Sequence, residues 1–261
     1  MFGLPLEDWL NTLWLPFLRI SAAMLAAPLF SATHAPPQVR IMLAGLVSLI
    51  LVPLIPERPS ISPLSLDGML WGINEIVIGI AIGFLLQMVF EAVQFGGQLI
   101  ATSMGLSFAT MVDPQSGSSV PVLGQFLFIL SMLIFLSMGG HLEYLKLLGE
   151  SFQRWPPGTS AFGPDAAMAV LSWFSELLRG GVRIALAAMM SLLVVQIALG
   201  VISRSAPALN LFSVGFPLTL LLGYFVLLRL LPELVTTLDL LLSAVFKQFD
   251  LLMQAGGPRG G

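Results

Sequence analysis

MLWGINEIVIGIAIGFLLQMVFEAVQFGGQLIATS, residues 69–103, is the stretch that decides the fold. It contains no proline and its only charged residues are Glu75 and Glu91, so it predicts one continuous helix. At about 1.5 Å per residue, roughly 35 residues span about 50 Å, well beyond the ~30 Å hydrocarbon core of a bilayer. The helix is therefore expected to be kinked, strongly tilted or extended beyond a membrane, with Gly96-Gly97 as its weakest point.

The whole chain has the composition of a membrane protein. Its 261 residues are 57% hydrophobic and 10% charged, with a mean hydropathy of +0.95, whereas soluble domains carry about 25% charged residues. This composition excludes an ordinary soluble enzyme. A net charge of −3 offers no basic surface for nucleic acid, and the absence of cysteine excludes thiol, disulfide and iron–sulfur chemistry.

Further apolar segments predict an all-α, polytopic membrane-type protein with long kinked helices. They cover residues 9–30, 41–55, 122–138, 166–202 and 211–231, and Pro232 is expected to begin a last helix. Residues 41–55 are short for a span, which needs about 20 residues, while other segments are too long or contain charges. We expect a single helical domain over residues 1–253 and a flexible tail over residues 254–261, rather than a simple bundle in lipid.

Glycine and polar residues form a stripe along the helix of residues 69–103. At about 100° per residue the stripe covers roughly 100° of arc. Its members are Gly72, Glu75, Gly79, Gly83, Gln94 and Gly97, with Glu91 beside it. Such glycines let another helix backbone approach closely, and a carboxylate in hydrocarbon costs about 2.5–3.5 kcal/mol. The stripe predicts either a subunit interface with a buried ion pair or channel lining, or ordinary packing inside one chain.

Three arginines are predicted to be buried charges: Arg19, Arg183 and Arg204. An arginine inside a membrane-type segment needs a partner and is a candidate functional residue. Arg19 is expected to pair with Glu75 or Glu91. A structural ion pair is favoured over a role in transport.

The segment MGLSFATMVDPQSGSSVP, residues 104–121, is predicted to be irregular because Pro114 forbids a continuous helix. Irregular backbone at membrane depth survives only where protein buries it or where it lines a cavity. A re-entrant loop that lines or blocks a pore fits this segment, with methionine and phenylalanine side chains as a deformable seal. A plain connection outside the membrane is the alternative.

The last segment, residues 232–253, predicts an amphipathic helix. Its apolar half is suited to packing, to a membrane interface, or to a partner helix beside a water-filled lumen. No catalytic or metal-binding motif accompanies it, since the sequence contains no HExxH, G-x-S-x-G or P-loop pattern. We therefore expect no enzymatic activity and no cofactor or metal.

These segments together resemble the family of the flagellar biosynthetic protein FliR, which type III secretion systems share. The most specific stretch is GLSFATMVDPQSGSSVPVLGQF, residues 105–126. Supporting features are Arg19, Pro28, the APPQVR loop, Glu75 with its glycines, GGH at residues 139–141, and SRSAPALNLFSVGFPLTLLLG at residues 203–223.

The resemblance implies a core subunit of the flagellar type III export gate, in the bacterial inner membrane at the flagellar basal body. It implies FliP- and FliQ-like gate subunits, FlhB- and FlhA-like export components and unfolded protein substrates as partners. It also implies that the loop lies inside the channel and helps to close it. The plug residues expected from this are Met104, Phe108, Met111, Asp113 and Pro114.

Two other functions are weighed against this one. The first is the equivalent subunit of a virulence-type secretion system, although GLSFATMVDP resembles the flagellar form more closely. The second is a secondary transporter built on broken helices, which would predict internal repeats. No repeat stands out in the sequence.

Overall fold

The computed structural model describes residues 6–29, 36–55, 62–106, 122–158, 163–205 and 215–255. Across these residues the chain is all-α and contains no strand, which confirms the predicted fold class. The helices are α1 (Leu6–Ala26), α2 (Pro37–Leu51), α3 (Leu66–Ser103), α4 (Val122–Ser137), α5 (Gly140–Arg154), α6 (Pro164–Ser205) and α7 (Phe216–Ala255), with a short 3-10 turn at Val52–Leu54.

Two of the long helices run without a break through residues that the sequence analysis singled out. α3 runs through Gly96-Gly97 without a break. Pro232 lies inside α7, so the prediction that it begins a separate helix is wrong. Proline removes one backbone hydrogen bond, and the intact turns on both sides keep this 40-residue helix continuous. The tail predicted at residues 254–261 lies outside the described residues from residue 256 onward.

Among the described residues, three helices are long and apolar enough to cross a membrane, judged by length and composition. They are Leu66–Ser103, Ala167–Ser205 and Phe216–Met253. A fourth span results if α4 and α5, which a turn at Met138-Gly139 separates, act as one broken span. α2 is shorter than a span, as the sequence predicted.

The chain forms two compact units. The first contains residues 1–88, 136–174 and 243–261, and the second contains residues 89–135 and 175–242. The first unit thus takes the start of α3, all of α5 and the end of α7. The second takes the end of α3, most of α4, α6 from residue 175 to its end and α7 from its start to residue 242.

The first unit is built around the close approach of α1 to α3. A Cβ added at Gly79 would collide with the carbonyl oxygen of Arg19, and one at Gly83 would collide with that of Ala23. Only glycine therefore permits this approach. Tyr144 of α5 is buried, and its hydroxyl donates a 2.9 Å hydrogen bond to the Ala23 carbonyl, which ties a third helix to the pair.

The second unit also brings its helices together at glycines. A Cβ added at Gly97 would lie 2.8 Å from the Cα of Gly124 on α4, and one at Gly96 would lie 2.8 Å from the carbonyl oxygen of Gly181 on α6. Beside this crossing the ring of Phe90 packs edge-on against Phe135, with ring centroids 5.4 Å apart. The pair Gly96-Gly97 is thus a place of close packing on two sides of α3.

Candidate functional site

The first candidate site is an ion pair enclosed within the first unit. Arg19 lies on α1 and Glu75 on α3, and both side chains are fully buried. Arg19 Nε donates to Glu75 Oε2 over 2.6 Å, and Arg19 Nη2 donates to Glu75 Oε1 over 3.0 Å. This two-point geometry is the strongest arrangement of an arginine with a carboxylate. It results from the approach of α1 to the glycines of α3.

The remaining donors of Arg19 are also used. Arg19 Nη1 donates to the Ser151 carbonyl over 3.1 Å and to Ser151 Oγ over 3.3 Å. Arg19 Nη2 donates to the Trp155 carbonyl over 2.9 Å. The guanidinium also lies 4.3 Å from the ring centroid of Phe152, which adds a cation–π contact. We call Arg19, Glu75, Ser151, Phe152 and Trp155 the arginine cluster.

The arginine cluster connects four parts of the first unit. Besides α1 and α3, it includes α5 and Trp155, the residue that follows α5. Trp155 extends the connection to the end of α7, because its indole N–H donates to the Met253 carbonyl over 3.2 Å. Every nitrogen of the guanidinium donates to a protein acceptor. This arrangement holds the first unit together and leaves no donor of Arg19 available to a transported solute.

The glycine stripe on α3 is covered by this chain. Gly72 meets Trp14 and Leu18 of α1, and the Gly79 and Gly83 contacts also involve α1. Gly97 meets Gly124 of α4, as described above. Packing inside one chain, one of the two predicted alternatives, describes these glycines.

Two other polar residues of the predicted stripe are less buried than Glu75. Glu91 is exposed and Gln94 is half-buried. Both lie in the second unit, whereas the arginine cluster lies in the first. Of the two carboxylates that the sequence offered to Arg19, the structure pairs it with Glu75.

Arg183 and Arg204 are exposed in the described chain, so their predicted burial is corrected for the chain by itself. Arg183 lines a cleft of about 140 Å³ in the second unit, together with Glu233 and Thr237 of α7.

The predicted plug residues are only partly within the described chain. Met104 is buried at the end of α3, in the second unit. Phe108, Met111, Asp113 and Pro114 lie in residues 107–121, outside the described residues. Their role as a plug stays a prediction.

The apolar half of the predicted C-terminal amphipathic helix packs inside the chain. Its buried members are Leu234, Leu238, Leu242, Val245, Phe249 and Leu252. Its polar side chains make local contacts: Gln248 donates to the Ala169 carbonyl over 2.7 Å, and Asp250 lies 3.6 Å from Arg154. The simplest of the predicted roles, plain packing, describes this face.

Sequence reasoning did not foresee the partners that α5 supplies. Ser151 and Trp155 lie more than 130 positions after Arg19 in the chain, at separations of 132 and 136. The spacing of Tyr144, Leu147, Leu148, Ser151, Phe152 and Trp155 follows one helical face. That pattern was a signal that α5 is an amphipathic helix packed on a core. It did not predict that Ser151 and the Trp155 carbonyl would accept hydrogen bonds from Arg19.

The geometry defines a class of protein. The described chain is all-α, has three helices of spanning length, encloses a fully hydrogen-bonded arginine and leaves the most apolar stretches of two of these helices largely uncovered. Among the described residues no cluster of histidine, aspartate and glutamate could hold a metal ion. This is a polytopic helical protein of the membrane type, with faces left open to lipid or to other proteins.

Comparison with known proteins gives the family. The model for family 1 of the bacterial export proteins matches residues 10–245, and the chain belongs to that family. The resemblance predicted from the sequence is thereby confirmed.

Several relatives carry the name flagellar biosynthetic protein FliR. The protein of Escherichia coli (strain K12) is 35% identical over 239 residues, which cover 92% of this chain and 91% of the relative. That of Pectobacterium carotovorum subsp. carotovorum is 35% identical over 249 residues, with 95% of each chain covered. That of Bacillus subtilis (strain 168) is 31% identical over 217 residues, covering 82% of this chain and 83% of the relative.

Proposed function

We propose that this chain is a core subunit of the flagellar type III protein export gate. In this proposal it helps to form and plug the channel through which unfolded flagellar proteins cross the bacterial inner membrane, at the basal body. The observation that carries the proposal is the family match over residues 10–245, together with relatives of flagellar name that align over nearly the whole chain. The chain performs no catalysis of its own and uses no cofactor.

The uncovered surfaces of α6 and α7 support a role inside an assembly. In the most apolar stretch of α3, 67% of the residues are buried by the chain, against 17% in α6 and 22% in α7. Large apolar side chains such as Val194 and Ile197 on α6, and Leu221 on α7, are exposed. Apolar patches of this extent mark contacts with proteins or with lipid. FliP- and FliQ-like subunits are the proposed neighbours, and FlhB- and FlhA-like components complete the apparatus.

The plug is assigned to the segment between α3 and α4. Met104 stands at its base, and Phe108, Met111, Asp113 and Pro114 form the part proposed to close the channel. The support is chemical: methionine and phenylalanine side chains are large and adaptable, so they seal a pore against ions and yield to an unfolded chain. The energy for export comes from other components of the apparatus.

Deletion of residues 107–121 tests the plug. We expect cells that carry the deletion to assemble the gate and to conduct small ions across the inner membrane, measured as an increased current in patched membrane vesicles. The wild-type chain at equal abundance is the control. An assembled deletion variant with unchanged conductance would reject the plug.

A second measurement tests membership of the gate. The wild-type chain should co-purify from membranes with small helical partner subunits in one large complex. A chain that purifies alone and binds a solute would instead support the transporter. Restoration of swimming in a strain that lacks its own FliR separates the flagellar function from the virulence-type one.

A further inference from the structure

The end of α3 has a defined geometry at the root of the loop. Gly105 has φ +82°, in the left-handed region where glycine is favoured. Leu106 N–H donates to the Ala101 carbonyl over 3.1 Å, and Gly105 N–H donates to the Thr102 carbonyl over 3.0 Å. This pair of bonds around a left-handed glycine is the Schellman motif, which ends a helix and sets the direction in which the chain leaves it.

The side chain of Met104 rests on a glycine of another helix. Met104 is only 6% exposed. A Cβ added at Gly223 of α7 would lie 2.5 Å from Met104 Cγ, 2.7 Å from its Cε and 2.9 Å from its Sδ. The thioether therefore lies along its whole length over the bare backbone of Gly223. Any side chain at position 223 would displace it.

A third helix holds the same end of α3. The amide nitrogen Nε2 of Gln196, on α6, donates to the Ser103 carbonyl over 2.8 Å. The last carbonyls of a helix have no partner within the helix, so this bond satisfies one of them. Ser103, Met104 and Gly105 are consecutive, and they are held by α6, by α7 and by the Schellman motif respectively.

We propose that Met104, Gly223 and Gln196 form an anchor that fixes the root of the loop, and that Met104 is a positioning residue instead of a part of the seal. The inference rests on the proposed plug function of the segment that follows. Segments that move during function come from the least stable parts of a fold, with few buried contacts. At the root, by contrast, the side chain of Met104 is buried. Met104 therefore stays in place when the channel opens.

A cysteine pair tests whether Met104 moves. The chain contains no cysteine, so the variant Met104→Cys with Gly223→Cys carries the only thiols of this protein. A cysteine sulfur takes the position of Met104 Cγ, which is 2.5 Å from the Cβ position at Gly223, within the short reach of a disulfide. Cells with the full apparatus are treated with a mild oxidant, and export of a flagellar protein is measured before oxidation, after it and after reduction.

We expect the disulfide to form and the export rate to stay unchanged in the oxidised state. Failure of the disulfide to form would mean that Met104 does not rest on Gly223, and would overturn the anchor. A disulfide that stops export, with recovery on reduction, would show that Met104 must move and belongs to the seal. The wild-type chain under the same oxidant controls for effects on other proteins.

A double-mutant cycle tests the positioning role by ion leak. Gly223→Ala displaces Met104 and is expected to raise the conductance of membrane vesicles severalfold. In the background of Met104→Ala the same substitution should have no further effect, because no thioether remains to be displaced. Gly200→Ala on α6 is the matched control, since a Cβ there meets nothing within 4 Å. Equal effects of Gly223→Ala in both backgrounds would reject the contact.

The outcomes separate the anchor from the plug. If deletion of residues 107–121 leaves the conductance unchanged, the proposed plug is rejected, whatever the result with the cysteine pair. If that deletion leaks while Gly223→Ala does not, the plug stands and the anchor fails.

Discussion

Arg19 and Glu75 are each fully buried, so the stability of each charge depends on the other. We expect Arg19→Ala to lower the free energy of unfolding by about 3–5 kcal/mol, because it leaves the carboxylate of Glu75 buried without its countercharge. Thermal or denaturant unfolding of the detergent-purified protein measures the change. Arg19→Lys is expected to be intermediate, since an ammonium cannot bind the carboxylate at two points.

Removal of both charges is the matched control for Arg19→Ala. Arg19→Met combined with Glu75→Leu should recover most of the lost stability, because no unpaired charge remains and the volume is nearly kept. A double variant as unstable as Arg19→Ala would contradict the ion pair as the source of the loss. Exchange of the two charges should not rescue, because a carboxylate at position 19 cannot donate to the carbonyls of Ser151 and Trp155.

The sequence was sufficient to predict a buried partner for Arg19 but not to choose it. The rule that a charge in an apolar segment needs a partner depends only on composition. The choice of Glu75 over Glu91 depends on the register of α1 against α3, which the contacts at Gly79 and Gly83 determine. Ser151 was beyond prediction, because its approach depends on how α5 folds back over a separation of 132 residues.

At the scale of helices, glycine decides where two backbones meet. We expect Gly79→Ala to lower the free energy of unfolding by about 1–3 kcal/mol, because the added methyl group collides with the backbone carbonyl of Arg19, which has no freedom to rotate away. Unfolding of the purified protein measures this. The substitution should also weaken the Arg19–Glu75 ion pair, since it displaces the backbone of Arg19.

Gly45→Ala on α2 is the matched control for Gly79→Ala. A Cβ at Gly45 meets nothing within 4 Å, so the exchange should stabilise α2 by up to about 1 kcal/mol through helix propensity. If both alanine variants were equally stable, close approach would not explain Gly79. The comparison separates packing from propensity, which act in opposite directions at these two glycines.

The long apolar helices followed from the sequence, whereas α5 and the continuity of α7 through Pro232 did not. Apolar length alone predicts α3, α6 and α7, because a run of apolar residues in a membrane-type chain must satisfy its own backbone bonds. Local propensity marks Gly96-Gly97 as the weakest point of α3 and Pro232 as the start of a separate helix. In the structure Gly96-Gly97 is a packing contact and Pro232 is tolerated inside α7, because tertiary packing overrides propensity in long helices.

For the whole molecule, the distribution of burial indicates what surrounds the chain. The arginine cluster and the glycine contacts are completed within this chain, whereas many large apolar side chains of α6 and α7 stay exposed among its described residues. The sequence could not show this difference, since α3, α6 and α7 are similarly apolar and only tertiary contacts separate a covered helix from an open one. The exposed apolar surfaces of α6 and α7 are therefore where lipid or other proteins contact the chain.

A charge on an open face tests that conclusion. Val194 is 65% exposed on α6, and Val194→Arg should reduce recovery of the chain in its membrane complex by about tenfold or more, because a charge buried in an apolar contact costs about 2.5–3.5 kcal/mol. Recovery is measured as the amount that co-purifies with the partner subunits. Ser172→Arg, at an exposed position near the start of α6, is the control and should assemble normally. Normal assembly of Val194→Arg would mean that this face meets water, and the open apolar surface would then need another explanation than lipid or protein contact.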